Sequence, residues 1–67
     1  MNQRRLEMRI ARLRKGLTQA DLAKKSGIPL ISISYFEQGR MNLSAERIQI
    51  LSDLLGISTE AIRAVEE

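Results

Sequence analysis

Glycine residues divide this chain into segments too short for long helices or a large sheet. Gly16, Gly27, Gly39 and Gly56 break the 67-residue sequence into five such segments, and Pro29 closely follows the second glycine. Within each segment the apolar residues recur at steps of three and four, which is the spacing of a helix rather than a strand. We therefore predict an all-α fold, a compact domain of five short helices.

Residues that favour helix starts stand at the beginning of the predicted helices. Thr18, followed three positions later by Asp21, is typical of a capping box. Ser44 and Ser58 are suitable N-caps, and Pro29 suits a first helical turn. Together with the glycines, these signals predict helices over about 3–15, 18–26, 29–38, 45–55 and from 58 onwards.

The apolar positions also predict which side of each helix is buried. In the first helix, Leu6, Ile10 and Leu13 form one stripe, and we expect it to face the core. In the third helix, Ile33 and Phe36 share the inward side. In the fourth helix the inward residues are predicted to be Ala45, Ile48, Leu51 and Leu55, with Ile50 and Leu54 widening that side.

The chain has neither cysteine nor histidine, which excludes several classes of site. Disulfides, Cys/His zinc sites and Cys/His nucleophiles are ruled out. With no glycine-rich phosphate loop or paired carboxylates on one face, we expect no catalytic residues, metal, cofactor or small-molecule ligand, and an enzyme is the least expected class.

No apolar run approaches the roughly 18 residues that span a membrane, so we expect a cytoplasmic protein without a membrane partner.

Positive charge is concentrated in the first part of the sequence. Residues 1–25 carry eight Lys or Arg and two Asp or Glu, whereas residues 26–67 carry three and six. Such a basic region favours a polyanionic partner, either nucleic acid or an anionic membrane. The alternative is an ordinary basic helix exposed to solvent.

An ordered set of short motifs resembles the Cro/C1-type helix-turn-helix family, also called the XRE family. The motifs are GLTQADLA from Gly16, SGI from Ser26, ISYFEQG from Ile33, NLS from Asn42 and LLGIS from Leu54. The resemblance runs from Leu6 to Ile62. It implies a single lambda-repressor-like DNA-binding domain over 1–67, with its helix-turn-helix at about 18–38. The helix over 18–26 would then support a recognition helix over 29–38.

The sequence departs from the family pattern in two places. The family usually has an arginine directly after the position of Leu13, with about three residues before the glycine, whereas here Arg14 is two residues from it. Either the first turn is short or Arg12 takes that place, and the predicted stripe favours Arg14. The family also often has polar residues where Leu30 and Ile31 stand.

We expect Glu37 to form a structural ion pair with Arg14, or with Arg12, rather than to bind DNA.

The outward side of the predicted recognition helix carries the candidate base contacts. Ile31 and Leu30 suit thymine methyl groups, and Tyr35 suits a base edge or a phosphate. Leu30 and Ile31 alternatively complete the core or a protein interface. By resemblance, Gln19 contacts the DNA backbone, as do Arg40 and Asn42 in the following loop. The predicted DNA-binding residues are Thr18, Gln19, Leu30, Ile31, Ser32, Ser34, Tyr35, Arg40 and Asn42, and Arg4, Arg5 and Arg9 could add non-specific phosphate attraction.

These features favour a sequence-specific transcriptional regulator, a repressor that binds a palindromic or pseudopalindromic site on double-stranded DNA as a homodimer. The surplus apolar residues of the C-terminal half predict the dimer interface, at Ile50, Leu54, Ile62 and Val65; alternatively they form an ordinary small core.

A second hypothesis for the function is a protein-binding module such as an antitoxin or an anti-repressor. A third is an interfacial helix over 3–15, although the stripe on that helix is better explained as core.

Overall fold

Five short helices joined by turns account for most of the chain. The computed structural model describes residues 4–66, and the predicted all-α, five-helix fold is confirmed over that range. The helices are α1 (Leu6–Arg14), α2 (Gln19–Ser26), α3 (Leu30–Glu37), α4 (Ala45–Leu55) and α5 (Thr59–Arg63). Helix α2 packs against α3 and α4, and α1 packs against α3, α4 and α5.

The predicted helix starts are present as hydrogen-bonded caps. The Thr18 hydroxyl accepts a bond from the Asp21 N–H at 3.0 Å, and the Asp21 carboxylate accepts one from the Thr18 N–H at 2.9 Å. This capping box lowers the pKa of the Asp21 carboxyl, chiefly through the bond from the Thr18 backbone. Gly27 ends α2 with φ +74°, a left-handed conformation that favours glycine. The predicted caps of α4 and α5, Ser44 and Ser58, are also confirmed.

All five helices contribute buried side chains to one core, as does Ile28 in the turn between α2 and α3. The inward sides predicted for α3 and α4 are confirmed with two exceptions. Ala45 is exposed at the first position of α4, and Ile50 is only partly buried and is not packed against the core. Leu54 is partly buried and packs against the core. The largest fully buried side chains are Met8, Leu22, Ile33, Phe36, Leu51 and Ile62.

Helix α1 turns a different side to the core from the one that its apolar stripe predicts. Ile10 is 48% exposed and Leu13 is 55% exposed, and Leu6 is only partly buried. The buried residues of the helix are instead Met8 and Ala11, together with Arg12. The prediction that the stripe faces the core is therefore wrong.

The physical reason for this rotation is a buried ion pair between α1 and α3. Arg12 donates from Nε to one oxygen of Glu37 at 3.0 Å and from Nη2 to the other at 2.8 Å. Its remaining nitrogen, Nη1, donates to the backbone carbonyl of Leu17 at 2.8 Å. Both charged side chains are less than one-tenth exposed. With both carboxylate oxygens bonded and the guanidinium spread over three acceptors, the pair is satisfied although it lies out of water.

The predicted pairing of Glu37 with Arg14 is wrong. Arg14 is exposed at the end of α1, and the alternative, Arg12, forms the pair. Arg12 therefore takes the place of the family's arginine, with the usual three residues between it and Gly16, and the turn after α1 is not short. The rotation of the helix brings this earlier arginine inward. The same rotation places Leu6, Ile10 and Leu13 outward.

We expect Glu37→Ala to lower the free energy of unfolding by about 3–5 kcal/mol, because it leaves Arg12 buried and without its counter-charge. Chemical denaturation measures this change. The control is Arg14→Ala, which removes an exposed charge and should change stability by less than about 0.5 kcal/mol. A double-mutant cycle of Arg12 and Glu37 that shows no coupling would contradict the role of the pair.

The rotation of α1 gives a second, independent expectation. Met8→Ala removes most of a fully buried side chain and should cost about 2–5 kcal/mol in stability. Leu13→Ala shortens a side chain that is 55% exposed, and should change stability by no more than about 0.5 kcal/mol. Urea unfolding of the two variants tests this order, and the reverse order would restore the stripe as the buried side.

Candidate nucleic-acid interface

A three-residue turn fixes α3 against α2. The Ser26 hydroxyl accepts a hydrogen bond from the Ile28 N–H at 3.1 Å, and the Ile28 side chain is buried in the core. Pro29 follows with φ −55° and precedes the first residue of α3. A buried anchor beside a fixed φ angle leaves the turn little freedom, so α3 is held in one orientation.

The outward side of α3 is apolar and exposed. Ile31 is 61% exposed and Leu30 is 48% exposed, and Tyr35 lies one turn further along at 42%. On the opposite side Ile33 and Phe36 are fully buried. Leu30 and Ile31 therefore do not complete the core within the described chain, and three large side chains share one solvent-facing surface.

Polar groups continue this surface towards the C-terminal end of α3. Gln38 donates from its side-chain amide to the Ser34 hydroxyl at 2.9 Å. The guanidinium of Arg40 lies 5.6 Å from the centre of the Tyr35 ring, within the range of a cation–π interaction. The backbone N–H of Arg40 also bonds to the Tyr35 carbonyl at 2.8 Å. Arg40 is thus held beside the aromatic residue. Ser32, which is predicted to contact DNA, is only partly exposed.

A shallow cleft adjoins the start of α2. Gln19 lines it together with Gln38, Arg4 and Arg9, and the Arg12–Glu37 pair forms part of its wall. The capping box occupies the N–H groups of Thr18 and Asp21. The N–H groups of the two residues between them precede the first intrahelical bond, so they have no partner within the helix. The cleft therefore combines basic side chains with the positive end of a helix dipole.

Arg5 has a structural role that the sequence analysis missed. It is only 6% exposed, and its guanidinium lies 3.9 Å from the centre of the Phe36 ring. It donates to the Phe36 carbonyl at 2.7 Å and to the side-chain oxygen of Asn42 at 3.0 Å. Burial lowers its pKa, but arginine stays charged in proteins. Arg5 fixes the loop after α3, so its assignment to non-specific phosphate attraction is wrong. The only sequence hint is its place one residue before α1.

The residues predicted to bind DNA fall on adjoining surfaces. Leu30, Ile31 and Tyr35 share the outward side of α3, with Ser34 and Arg40 beside them. Thr18 and Gln19 stand at the start of α2. The oxygen of the Asn42 side chain is occupied by Arg5, which leaves its amide hydrogens free to donate outward.

One residue predicted for the dimer interface is misplaced. Ile62 is fully buried in the core, so it cannot contact a second copy of the folded chain. The reason is that α5 has only five residues and uses its one large apolar side chain to close the core. Leu54 also packs against the core, Ile50 is partly exposed, and Val65 is 44% exposed beyond α5.

Across residues 4–66, none of the helices is long and apolar enough to cross a membrane. No cluster of three or more carboxylates suited to a metal ion occurs in the same range.

Comparison with known proteins connects this geometry to a family. The helix-turn-helix family model matches residues 8–62. The structure is similar to the crystal structure of a hypothetical transcription factor, NHTF, from Neisseria, with a TM-score of 0.77. That similarity covers 97% of this chain and 82% of the other at 22% sequence identity, so it supports the fold alone. No curated protein matches the chain.

We expect Arg5→Lys to destabilise the fold by about 2 kcal/mol, because two separate guanidinium nitrogens reach the Phe36 carbonyl and the Asn42 oxygen, and a lysine has a single nitrogen. Denaturant unfolding measures the loss. Arg9→Lys is the matched control at an exposed position of α1, and should leave stability unchanged. If the two variants were equally stable, the Arg5 contacts would contribute nothing to the fold.

Proposed function

The chain belongs to the Cro/C1-type helix-turn-helix family of DNA-binding regulators, and we propose that it recognises a specific DNA site by placing α3 in the major groove. The observation that carries the proposal is the apolar and aromatic outward side of α3, on a helix whose opposite side is anchored by Ile33, Phe36 and Glu37. A helix held on one side can present the other in a fixed register to the edges of base pairs.

Base recognition is assigned to the exposed residues of α3. Ile31 is the most exposed of them and suits the methyl group of a thymine, with Leu30 beside it. Tyr35 offers a hydroxyl to a base edge. Ser32 and Ser34 supply short polar groups to bases or phosphates.

Phosphate contacts are assigned to residues around this helix. Gln19 and Thr18 stand at the positive end of α2, where backbone N–H groups and the helix dipole favour an anion. Arg40 and the amide of Asn42 follow α3 and would meet the other side of the groove. Arg4 and Arg9 add positive charge to the cleft beside Gln19.

We further propose that two copies bind a palindromic or pseudopalindromic operator. One recognition helix reads only a few base pairs, and paired modules can reach half-sites about 34 Å apart in the same face of the duplex. Occupancy of an operator excludes other proteins from it without any further activity of the bound domain. We therefore assign the protein a repressor role in the cytoplasm rather than a catalytic one.

Selection of bound sequences from a random DNA pool tests the proposal. We expect one enriched motif with twofold symmetry, and an affinity that falls steeply as salt concentration rises. The absence of an enriched motif would refute sequence-specific binding. If substitutions at Ile31 and Tyr35 left DNA binding unchanged but abolished binding to a protein, the outward side of α3 would be a docking surface, as in an antitoxin or anti-repressor.

Arg40→Ala should weaken binding to all DNA sequences alike, because phosphates carry no sequence information. The dependence of log affinity on log salt should become shallower by about one unit, since one phosphate contact is lost. Fluorescence anisotropy over a salt series measures the slope. Arg63→Ala removes the same charge from α5 and serves as the control; an equal effect of both variants would show only a loss of overall charge.

Ile31 should read a thymine methyl group. Replacing the contacted thymine with uracil removes only that methyl, and should weaken binding by on the order of 1 kcal/mol. Ile31→Ala should abolish this sensitivity while the salt dependence stays the same. If uracil at every thymine of the selected site had no effect, Ile31 would not read methyl groups.

A further inference from the structure

Helix α1 has a second apolar side that the fold does not use. Leu6, Ile10 and Leu13 lie on one stripe, opposite Met8 and Ala11, and Ile10 and Leu13 are about half exposed. Isolated exposed apolar residues are ordinary, whereas aligned aliphatic side chains on one helix suggest an interaction surface. We name Leu6, Ile10 and Leu13 the outer stripe.

Charged residues flank the outer stripe unequally. At about 100° per residue, Glu7 and Arg14 lie along one edge, two turns apart, and Arg9 lies along the other. Glu7, Ile10 and Arg14 line one shallow groove together with Ile57, which agrees with this placement. The edge with Glu7 and Arg14 therefore carries opposite charges at its two ends.

We propose that the outer stripe pairs with the same stripe of a second copy, with the two α1 helices antiparallel. A twofold axis midway between Leu6 and Leu13 places each of these residues opposite the other in the second copy. Ile10 then lies one residue from its own counterpart, roughly 1.5 Å along the axis. The three apolar positions thus meet apolar positions throughout.

Charge complementarity favours a second copy as the occupant. In this register Glu7 of one copy comes within two residues of Arg14 of the other, roughly 3 Å along the helix axis. The twofold axis places the Glu7 and Arg14 edges of both copies on the same side of the pair, so two such ion pairs form. In a parallel twofold pair this edge would instead lie beside the Arg9 edge of the other copy, which leaves Arg14 without an acidic partner.

The same symmetry agrees with binding to one duplex, and in this respect the inference rests on the proposed function. Both Arg9 edges stay on one side of the antiparallel pair, and in each copy Arg9 lines the cleft with Gln19 and Gln38. The two clefts would face the same way. The two Arg9 side chains repel one another unless phosphates lie near them, so DNA should strengthen the pairing.

Analytical ultracentrifugation of the full chain without DNA tests the pairing. We expect a monomer–dimer equilibrium in the micromolar range, since three aliphatic residues per copy make a small interface. Leu13→Glu should raise the dissociation constant at least about tenfold, because each dimer loses two apolar side chains. Val65→Glu, at an exposed position of the C-terminal half, is the control and should leave it unchanged.

A charge exchange separates the register from a general apolar effect. Glu7→Arg and Arg14→Glu should each weaken self-association at least about tenfold, as two attractive pairs become repulsive. An equimolar mixture of the two variants should form a heterodimer, and the double variant should dimerise like the original chain. Circular dichroism checks that each variant is folded. Ile10→Ser is a second test of the outer stripe, and it introduces no charge.

Several results would overturn the inference. One is a monomer at high micromolar concentration both with and without DNA. Another is dimerisation that Ile50 or Val65 substitutions abolish and Leu13→Glu does not. A third is a monomer that binds anionic phospholipid vesicles in a manner that depends on Leu13, which would make α1 an interfacial helix.

Salt-dependent DNA binding is measured separately, so a chain that binds DNA without pairing through α1 refutes this inference alone. A chain that pairs through α1 without binding DNA refutes only the proposed function.

Discussion

The ion pair between Arg12 and Glu37 is the contact on which the arrangement of the helices depends. It joins α1 to the end of α3, and its third hydrogen bond reaches the Leu17 carbonyl just before α2. One guanidinium thus links three successive elements. Each of its bonds has a fixed direction, so the pair sets the rotation of α1 as well as its distance from α3. Apolar packing alone would allow α1 to turn either of its two apolar sides inward.

That rotation accounts for both surfaces to which a function is assigned. Turning Arg12 inward carries Met8 and Ala11 into the core and leaves the outer stripe on the surface. It also brings Arg5 beneath Phe36, where it fixes the loop that carries Arg40 and Asn42. The recognition helix and the loop after it are therefore held by two buried arginines of the N-terminal region. The other three arginines of that region are exposed, and only the structure distinguishes them from the two buried ones.

Local signals in the sequence predicted most of the fold. Caps such as Thr18 with Asp21 and stops such as Gly27 act within one turn of chain, so their residues identify them directly. The inward side of α3 was also predictable, since Ile33 and Phe36 share one side of the helix, and the other large apolar residues lie away from it on the surface proposed to meet DNA. The order of the short motifs was sufficient to identify the helix-turn-helix. The roles assigned to individual residues in DNA contact remain predictions.

The errors arose where tertiary contacts overrode a local pattern. The periodicity of α1 favoured Leu6, Ile10 and Leu13 as the buried side because it counts apolar residues and assigns charged ones to solvent. A buried arginine with all its acceptors supplied by other segments cannot be recognised from its own helix. The misplacement of Ile62 has a similar cause, since a helix of five residues has one inward position and that residue fills it. The length of α5 and the spacing of its apolar residues did not show that Ile62 is needed to complete the core.

The two sides of α3 have separate tasks. Ile33, Phe36 and Glu37 hold the helix in the fold, whereas Leu30, Ile31 and Tyr35 make no part of the buried core. Substitutions on the outward side therefore carry little thermodynamic penalty, and those on the inward side carry nearly all of it. Mutation can alter what the helix contacts without first requiring compensating changes elsewhere. The architecture allows descendants of one stable scaffold to diverge in specificity, one exposed residue at a time.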